Sequence, residues 1–156
     1  MDLLRLALFQ PDIPQNAGTL IRLSACLGIT LDVVEPCGFL WDEKRMRRAG
    51  MDYVDHARVC RHASWPAFRT ALGERRLVLL TTAGASRLDA FSFRPGDVIM
   101  VGRESAGVPA EVAAAAAAAL RIPMAPGLRS LNVALAATLA VGEALRQLKA
   151  YPPEEG

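Results

Sequence analysis

The sequence predicts an α/β fold in which a mostly parallel sheet carries helices on both faces. Short apolar segments that suit strands alternate with helical segments along the chain, and this alternation is typical of a parallel sheet. The chain has 156 residues, of which 52% are hydrophobic and 22% are charged, and this is enough for one domain with a real core. No internal repeat or linker divides it. We therefore expect one domain over residues 1–150 and a flexible tail over residues 151–156.

Six short apolar segments are predicted to be strands because each is bounded by turn residues or by a helix signal. In chain order they are residues 3–9, 30–34, 57–60, 76–82, 97–101 and 121–124.

The helices are predicted from their start and stop signals. Pro14 begins the first helix and Gly28 ends it, Gly73 ends the third, and Pro109 begins the fourth, as expected for these two residue types. The alanine tract at residues 113–119 is assigned to the fourth helix because alanine is the best helix former. In chain order the helices are residues 14–27, 43–48, 65–72, the segment after Pro109, and residues 131–148.

Composition excludes several classes of protein. Glu143 and Arg146 interrupt the final helix, which is the longest apolar segment, so a membrane span is not expected. The first residues lack the layout of a signal peptide, and a cytoplasmic protein is therefore expected. The mean hydropathy of +0.22 is high for a small domain, which suggests that a partner subunit covers part of the surface.

The cysteines are three in number and widely spaced, at Cys26, Cys37 and Cys60. Only His56 and His62 could assist them as metal ligands. A disulfide framework and a structural zinc site are therefore not expected. A nucleophilic cysteine stays open as an alternative, although a buried thiol is the commoner state.

Charge is unevenly distributed. The net charge is +2, yet residues 44–76 carry nine Arg or Lys and three acids, a local balance of +6. A basic region of this kind fits a polyanion such as RNA, and an arginine-rich solvated surface is the alternative.

Several nucleotide and hydrolase motifs are absent from the sequence. No Gly-x-Gly-x-x-Gly, Walker-type loop or Gly-x-Ser-x-Gly elbow is present. Dehydrogenases, kinases and α/β-hydrolases are therefore disfavoured.

Two segments before the last helix carry residues suited to a site. Arg22 follows Asn16 by six positions on the first helix, where its guanidinium could hold a phosphate or orient a hydroxyl, or could simply pair with an acid. Gly102 and Gly107 allow close backbone approach after a strand, and Glu104 offers acceptors for an amine or a ribose hydroxyl. An ordinary strand-to-helix loop would also use Gly and Pro.

The third segment runs from residue 120 to residue 132 and leads from a strand into the final helix. Ser130 and Asn132 suit the start of that helix, where their side chains can accept backbone N–H groups. Arg129 lies in a loop after Gly127 and is suited to phosphate. Ligands of open α/β sheets bind at such carboxyl ends of strands.

In this order the three segments resemble the SPOUT superfamily of knotted RNA methyltransferases. The resemblance covers Leu6 to Leu148 and is strongest to the short TrmL-like 2′-O-methyltransferases that act on cytidine or uridine 34 of tRNA. Residues 35–53 and 121–124 resemble the same group. The resemblance implies a C-terminal deep trefoil knot, which periodicity does not predict.

The resemblance also implies the ligands and the residues that bind them. S-adenosylmethionine is expected in the knot, without a metal, and a homodimer is expected to bind tRNA across its interface. The cofactor-binding residues are expected to be Leu80, Gly102, Ile122, Met124, Ser130 and Leu131. The RNA-binding residues are expected to be Lys44, Arg45, Arg47, Arg48 and Arg129.

Arg22 and Ser130 are the residues that the resemblance implies for catalysis. Arginine keeps its proton in proteins, so Arg22 is expected to orient the ribose hydroxyl rather than to act as a base, and Ser130 to assist by a hydrogen bond. Two alternatives are kept: methylation of another RNA position, and a non-catalytic RNA-binding dimer. The second is motivated by Leu135 and Gly142, which stand where many relatives carry Asn and Tyr.

Overall fold

A computed structural model of the chain describes residues 2–155, apart from the side chains of residues 49–52. Seven strands of this described part form one sheet. They are β1 (Leu4–Phe9), β2 (Thr30–Val34), β3 (Arg58–His62), β4 (Leu77–Leu80), β5 (Ser86–Arg87), β6 (Asp97–Val101) and β7 (Ala118–Arg121).

All neighbouring strands of the sheet run parallel. Their order is β3-β2-β1-β6-β4-β7-β5. The chain therefore first adds β2 and β3 on one side of β1, and the four later strands form the other side, with β6 next to β1. The point between β1 and β6 is therefore a topological switch point, where open parallel sheets place their ligand crevice. The predicted α/β class and parallel sheet are confirmed.

The described chain has five α-helices, of which four connect strands and the last follows β7. They are α1 (Pro14–Leu27), α2 (Glu43–Gly50), α3 (Trp65–Leu72), α4 (Ala110–Ala115) and α5 (Val133–Leu148). The predicted end of α1 is confirmed, because Gly28 adopts a left-handed φ of 66° and its N–H bonds the last turn, which is the usual role of glycine after a helix.

The helices cover both faces of the sheet. Helices α1, α2 and α5 pack on the face formed by Leu6, Leu8 and Ile99, whereas α3 and α4 contribute Phe68 and Val112 to the opposite face. Successive side chains of a strand point to opposite faces, so β1 serves both cores. Helix α1 also packs directly against α5, which places the first and last helices side by side.

The assignment of the alanine tract at residues 113–119 to a helix is confirmed up to Ala115 and wrong beyond it. Helix α4 ends at Ala115, and β7 covers residues 118–121, three positions earlier than the predicted strand, because Val78 pairs with Ala118 and Leu80 with Leu120. Pairing with a neighbouring strand thus overrides the helix propensity of alanine. Residues 122–124, predicted as strand, are loop.

A buried ion-pair network fixes the amino-terminal half of the sheet. Both carboxylate oxygens of Asp32, on β2, accept from the guanidinium of Arg5 at 2.7 and 2.8 Å, and the ring of His62 lies 2.8 Å from the same carboxylate. Asp32 is only 2% exposed. This hydrogen bonding, opposed by burial, raises the pKa of Arg5, so the arginine stays charged and pairs with the buried acid.

No helix among the described residues is long and apolar enough to cross a bilayer. In the tail that is predicted to be flexible, the Tyr151 hydroxyl donates to the Gly142 carbonyl at 3.2 Å. Gly156 lies outside the described residues. The single domain over residues 1–150, the flexible tail and the C-terminal knot stay predictions.

Candidate active site

An open cavity of about 840 Å³ lies at the carboxyl ends of β6, β4 and β7. Its walls come from three loops that leave these strands, over residues 79–82, 101–108 and 121–133. Ile13 and Asn16, at the start of α1, also line it. Its size is that of a pocket for a small organic ligand or cofactor.

All six residues predicted to bind a cofactor line this cavity. They are Leu80, Gly102, Ile122, Met124, Ser130 and Leu131. The sheet brings them together because β4, β6 and β7 are neighbours that end at the same edge.

Several residues of the last loop line the cavity and have backbone amides without an acceptor in the described chain. Among the residues that the structure describes, none accepts a hydrogen bond from the backbone amides of Met124, Ser130 or Leu131. Polar backbone groups are normally paired, so these amides are available to a ligand. Apolar side chains at Leu80, Ile122 and Met124 beside free amides suit a flat heterocycle that needs both contacts.

The wall at residues 102–107 is a tight loop. Arg103 and Gly107 exchange two backbone hydrogen bonds, at 3.0 and 2.8 Å. A side chain on Gly102 would place its Cβ 2.7 Å from the carbonyl carbon of Gly107, and Gly107 has a φ of 63°. Both glycines are therefore required by the shape of the loop.

The side chain of Glu104 is engaged inside this wall. Its carboxylate accepts from the backbone N–H of Asp12 at 3.0 Å and from the Asn16 amide at 3.3 Å. The Asp12 carboxylate accepts in return from the backbone N–H of Glu104 at 3.1 Å and from the Ser105 hydroxyl. Glu104, predicted as an acceptor for a ligand, thus also joins the cavity wall to the start of α1.

The two carboxyl groups of this pair differ in their acidity. Burial and the neighbouring Asp12 carboxylate raise the pKa of Glu104. The pKa of Asp12 falls to about 2, because hydrogen bonds from Glu104 and Ser105 stabilise its ionised form. As the pH falls, Glu104 is therefore the first of the two to take up a proton.

Asn132 extends the same chain of polar contacts to α5. Its amide donates to the Asn16 side chain at 3.3 Å, while its carbonyl oxygen caps α5 by accepting from the amides of Ala134 and Leu135. The prediction that Asn132 suits a helix start is confirmed. Ser130 is no cap, because α5 begins at Val133, and Ser130 lies in the loop that lines the cavity.

Arg22 lies outside the cavity of its own chain. It is exposed on α1, and its guanidinium sits 4.5 Å from the centre of the Tyr53 ring. Asn16, six residues earlier on the same helix, lines the cavity. A helix rises about 1.5 Å per residue, so the two motif residues lie about 9 Å apart along α1.

The residues predicted to bind RNA fall into two groups. Lys44, Arg45, Arg47 and Arg48 are exposed on α2, and Arg129 lines the cavity. Arg47 pairs with Asp55 at 2.8 Å, and no side chain that the structure describes forms an ion pair with Lys44, Arg45 or Arg48. Much of the remaining basic region is occupied by ion pairs, such as those between Arg61 and Glu35 and between Arg76 and Asp97.

The cysteines take no part in the cavity, whose lining includes none of them. Cys26 and Cys60 are exposed. Burial and the nearby Glu35 raise the pKa of Cys37 to about 11, and a thiol that stays protonated is a poor nucleophile. Nothing in the structure therefore favours the nucleophilic cysteine that was left open.

Three rim arginines and one acid were not predicted as site residues. Arg87, Arg103 and Arg121 line the cavity, and Asp12 holds its wall. The only available signal was position, because Asp12 and Arg103 follow β1 and β6 closely at the carboxyl edge. The guanidinium of Arg121 donates hydrogen bonds to the carbonyls of Gly84 and Ala85.

Comparison with known proteins decides the family. The model of the SpoU rRNA Methylase family matches residues 3–142. The chain belongs to this family. A tRNA (cytidine(34)-2′-O)-methyltransferase of Beijerinckia indica is 54% identical over 147 residues, which cover 93% of this chain and 92% of that relative.

Solved structures agree with this assignment to the SpoU family. One, described as giving insights into the 2-OH methylation of C/U34 on tRNA, superposes with a TM-score of 0.90 at 42% identity and covers 95% of this chain and 97% of its own. The SpoU methyltransferase AviRb of Streptomyces viridochromogenes, in complex with the cofactor AdoMet, has a TM-score of 0.80 at 29% identity and covers 95% of this chain and 61% of its own.

We expect Gly102→Ala to weaken ligand binding in the cavity by about tenfold or more, the effect of losing roughly 1.4 kcal/mol of binding free energy. The added Cβ would lie 2.7 Å from Gly107, so the loop must shift. Calorimetric titration with S-adenosylmethionine measures the effect.

Gly142→Ala is the matched control for this substitution. Its Cβ would meet the movable Tyr151 hydroxyl at 3.2 Å, and alanine suits the interior of α5 better by up to about 1 kcal/mol. Equal affinities in the two variants would contradict the assignment of the Gly102 loop to the binding site.

Proposed function

We propose that this SpoU-family protein transfers a methyl group from S-adenosylmethionine to the ribose 2′-hydroxyl of cytidine or uridine 34 of tRNA. The observation that carries the proposal is the convergence of Leu80, Gly102 and the 122–131 loop on one cavity at the carboxyl ends of β4, β6 and β7. The 54% identical relative is named for the same reaction. We further propose that the protein works in the cytoplasm, where tRNA is used.

The residues of the cavity fit the cofactor. Leu80, Ile122 and Met124 offer apolar walls, and the amides of Met124, Ser130 and Leu131 offer donors. When bound, S-adenosylmethionine would supply an electrophilic methyl group, because its positively charged sulfur is a leaving group that takes back the bonding electron pair. The protein must hold the 2′-hydroxyl in line with that methyl group, and such positioning supplies much of the rate.

We assign the orientation of the 2′-hydroxyl to Arg22, with a hydrogen bond from Ser130 in support. A guanidinium keeps its proton, so Arg22 stabilises the negative charge that develops on the oxygen rather than accepting its proton. The hydroxyl proton passes to solvent as the oxygen–carbon bond forms.

We also propose that the active unit is a homodimer, in which Arg22 of one copy serves the cavity of the other. Within one chain, Arg22 does not line the cavity. An apolar stripe on and just before α5 supports the contact, since Leu131, Leu135 and Leu139 recur every four residues and are 39%, 59% and 51% exposed. Leu131 belongs to both the stripe and the cavity wall, so a copy docked on the stripe lies beside the cavity.

We propose that tRNA is held by the exposed cations of α2 and by Arg129 at the mouth of the cavity. Lys44, Arg45 and Arg48 are available for phosphates, since no described side chain forms an ion pair with them. Arg47 contributes less, because it pairs with Asp55. Phosphate contacts position RNA without reading its sequence.

The proposed reaction is tested by incubating purified protein with S-adenosylmethionine and total tRNA and mapping 2′-O-methylation. Methylation at position 34 is expected. Methylation only elsewhere would contradict the proposed substrate, and binding of tRNA without any methylation would favour the non-catalytic dimer.

Arg22→Ala is expected to lower kcat by at least about 10²-fold, the usual cost of losing one donor to a developing oxyanion. The affinity for S-adenosylmethionine should stay within about twofold of that of the unaltered protein, because Arg22 lies outside the cavity of its own chain. Single-turnover methylation measures the rate, and a variant that dissociates into monomers would instead indicate a structural role.

Leu135→Glu is expected to convert the dimer to a monomer at micromolar concentration, because a charge replaces the centre of the apolar stripe. Light scattering after size-exclusion chromatography measures the mass. Leu40→Glu is the matched control, since Leu40 is 76% exposed but lies outside the stripe. A dimer that survives in Leu135→Glu would remove the stripe from the interface.

Replacing Lys44, Arg45 and Arg48 together by alanine should weaken tRNA binding and reduce its dependence on salt. Each phosphate contact contributes about 0.7 to the slope of log affinity against log salt for single strands, so the slope should fall by about 2. Filter binding over a series of salt concentrations measures it. Arg69→Ala, on α3 at the opposite face of the sheet, should leave the slope unchanged. An equal decrease of the slope in Arg69→Ala would contradict the assignment of α2 to the RNA-binding surface.

A further inference from the structure

Asp12 contacts a loop that is distant from it in sequence. It follows β1 at the carboxyl edge of the sheet, and its side chain reaches the 102–107 loop, 92 residues later. It does not line the cavity itself. Its contacts therefore concern the shape of the cavity wall.

The contact between Asp12 and the loop is reciprocal. Its carboxylate accepts from the backbone N–H of Glu104 at 3.1 Å and from the Ser105 hydroxyl. Its own backbone N–H donates to the Glu104 carboxylate at 3.0 Å. Two of these three hydrogen bonds hold the backbone and the side chain of Glu104, which lies in the cavity wall, and the third holds Ser105 beside it.

The opposite side of Asp12 is held by the turn at Gly38. The backbone N–H of Gly38 donates to the carbonyl of Pro11 at 2.9 Å. A Cβ on Gly38 would lie 2.6 Å from the Cβ of Asp12 and 2.9 Å from its Cα, so the two backbones are in direct contact. These contacts hold the backbone of Asp12 in place, so its side chain can position the loop.

We infer that Asp12 is a positioning residue for cofactor binding, which holds the 102–107 loop in its binding shape through Glu104 and Ser105. This inference rests on the proposed function, since it concerns the same cavity. Asp12 acts without touching the ligand, because it does not line the cavity. Its effect should therefore fall on the affinity and the KM for S-adenosylmethionine rather than on kcat at saturation.

The test compares three variants of the full-length protein by calorimetric titration with S-adenosylmethionine. Asp12→Ala removes both side-chain acceptor contacts and should raise the dissociation constant about tenfold, whereas kcat at saturating cofactor should change by less than about twofold. Asp12→Asn should restore the affinity, since its oxygen can accept from Glu104 while its amide donates to the Ser105 hydroxyl. Ser105→Ala removes one bond on an exposed side chain and should raise the dissociation constant about threefold.

Arg75→Ala is the control for general loss of stability. Arg75 donates to the carbonyls of Asp2 and Gly96, at the other end of the sheet from the loop. Its affinity for S-adenosylmethionine should be unchanged while its melting temperature falls. An equal loss of affinity in Arg75→Ala and Asp12→Ala would overturn the inference, because stability alone would then explain it.

The outcomes also separate the inference from the proposed function. No binding of S-adenosylmethionine by the unaltered protein would contradict the function itself. Binding by the unaltered protein together with unchanged affinity in Asp12→Ala would overturn only the role of Asp12. If Asp12→Ala does not fold, Ser105→Ala decides, and an unchanged affinity there would overturn the inference.

Discussion

The parallel pairing of β4 with β7 is the interaction on which the cavity depends. Leu80 lies opposite Leu120, and the next residue, Thr81, donates to the Leu120 carbonyl at 2.8 Å. The backbone then passes so close that a Cβ on Gly84 would lie 2.3 Å from the carbonyl carbon of Leu120. Because both strands end together, the loops that follow them lie side by side at the sheet edge, and together with the loop after β6 they enclose the cavity.

A second constraint joins this edge to the first helix. A chain of polar contacts leads from Asp12 through Glu104 and Asn16 to Asn132, and it connects residues up to 116 positions apart. Three of its members, Asn16, Glu104 and Asn132, line the cavity, and Asn132 also caps α5. Since each of these residues both donates and accepts a hydrogen bond, loss of one leaves a partner unsatisfied. The three sequence segments are therefore connected to one another by hydrogen bonds in the folded protein.

Predictions from the sequence were correct for features that depend on local backbone preferences and wrong for a feature that depends on strand pairing. Pro14 and Gly28 bound α1 as predicted, because their preferences are set by their own backbones. The prediction of helix was wrong for the alanine tract beyond Ala115, because the strand there forms by pairing with β4 and β5, which local propensity cannot show. All six cofactor residues lie on the cavity, yet that prediction came from family resemblance. Asp12 was missed because its role depends on a contact 92 residues away.

The two departures from the family pattern bear on assembly more than on chemistry. Neither Leu135 nor Gly142 lines the cavity. Leu135 is 59% exposed in the apolar stripe that begins at Leu131, so an apolar side chain there enlarges a surface suited to another copy of the chain. At Gly142 the carbonyl accepts from the Tyr151 hydroxyl, which lies where a larger side chain would begin. Neither substitution therefore alters the lining of the proposed methyl-transfer site, and Leu135 lies instead in the surface that we propose as the dimer contact.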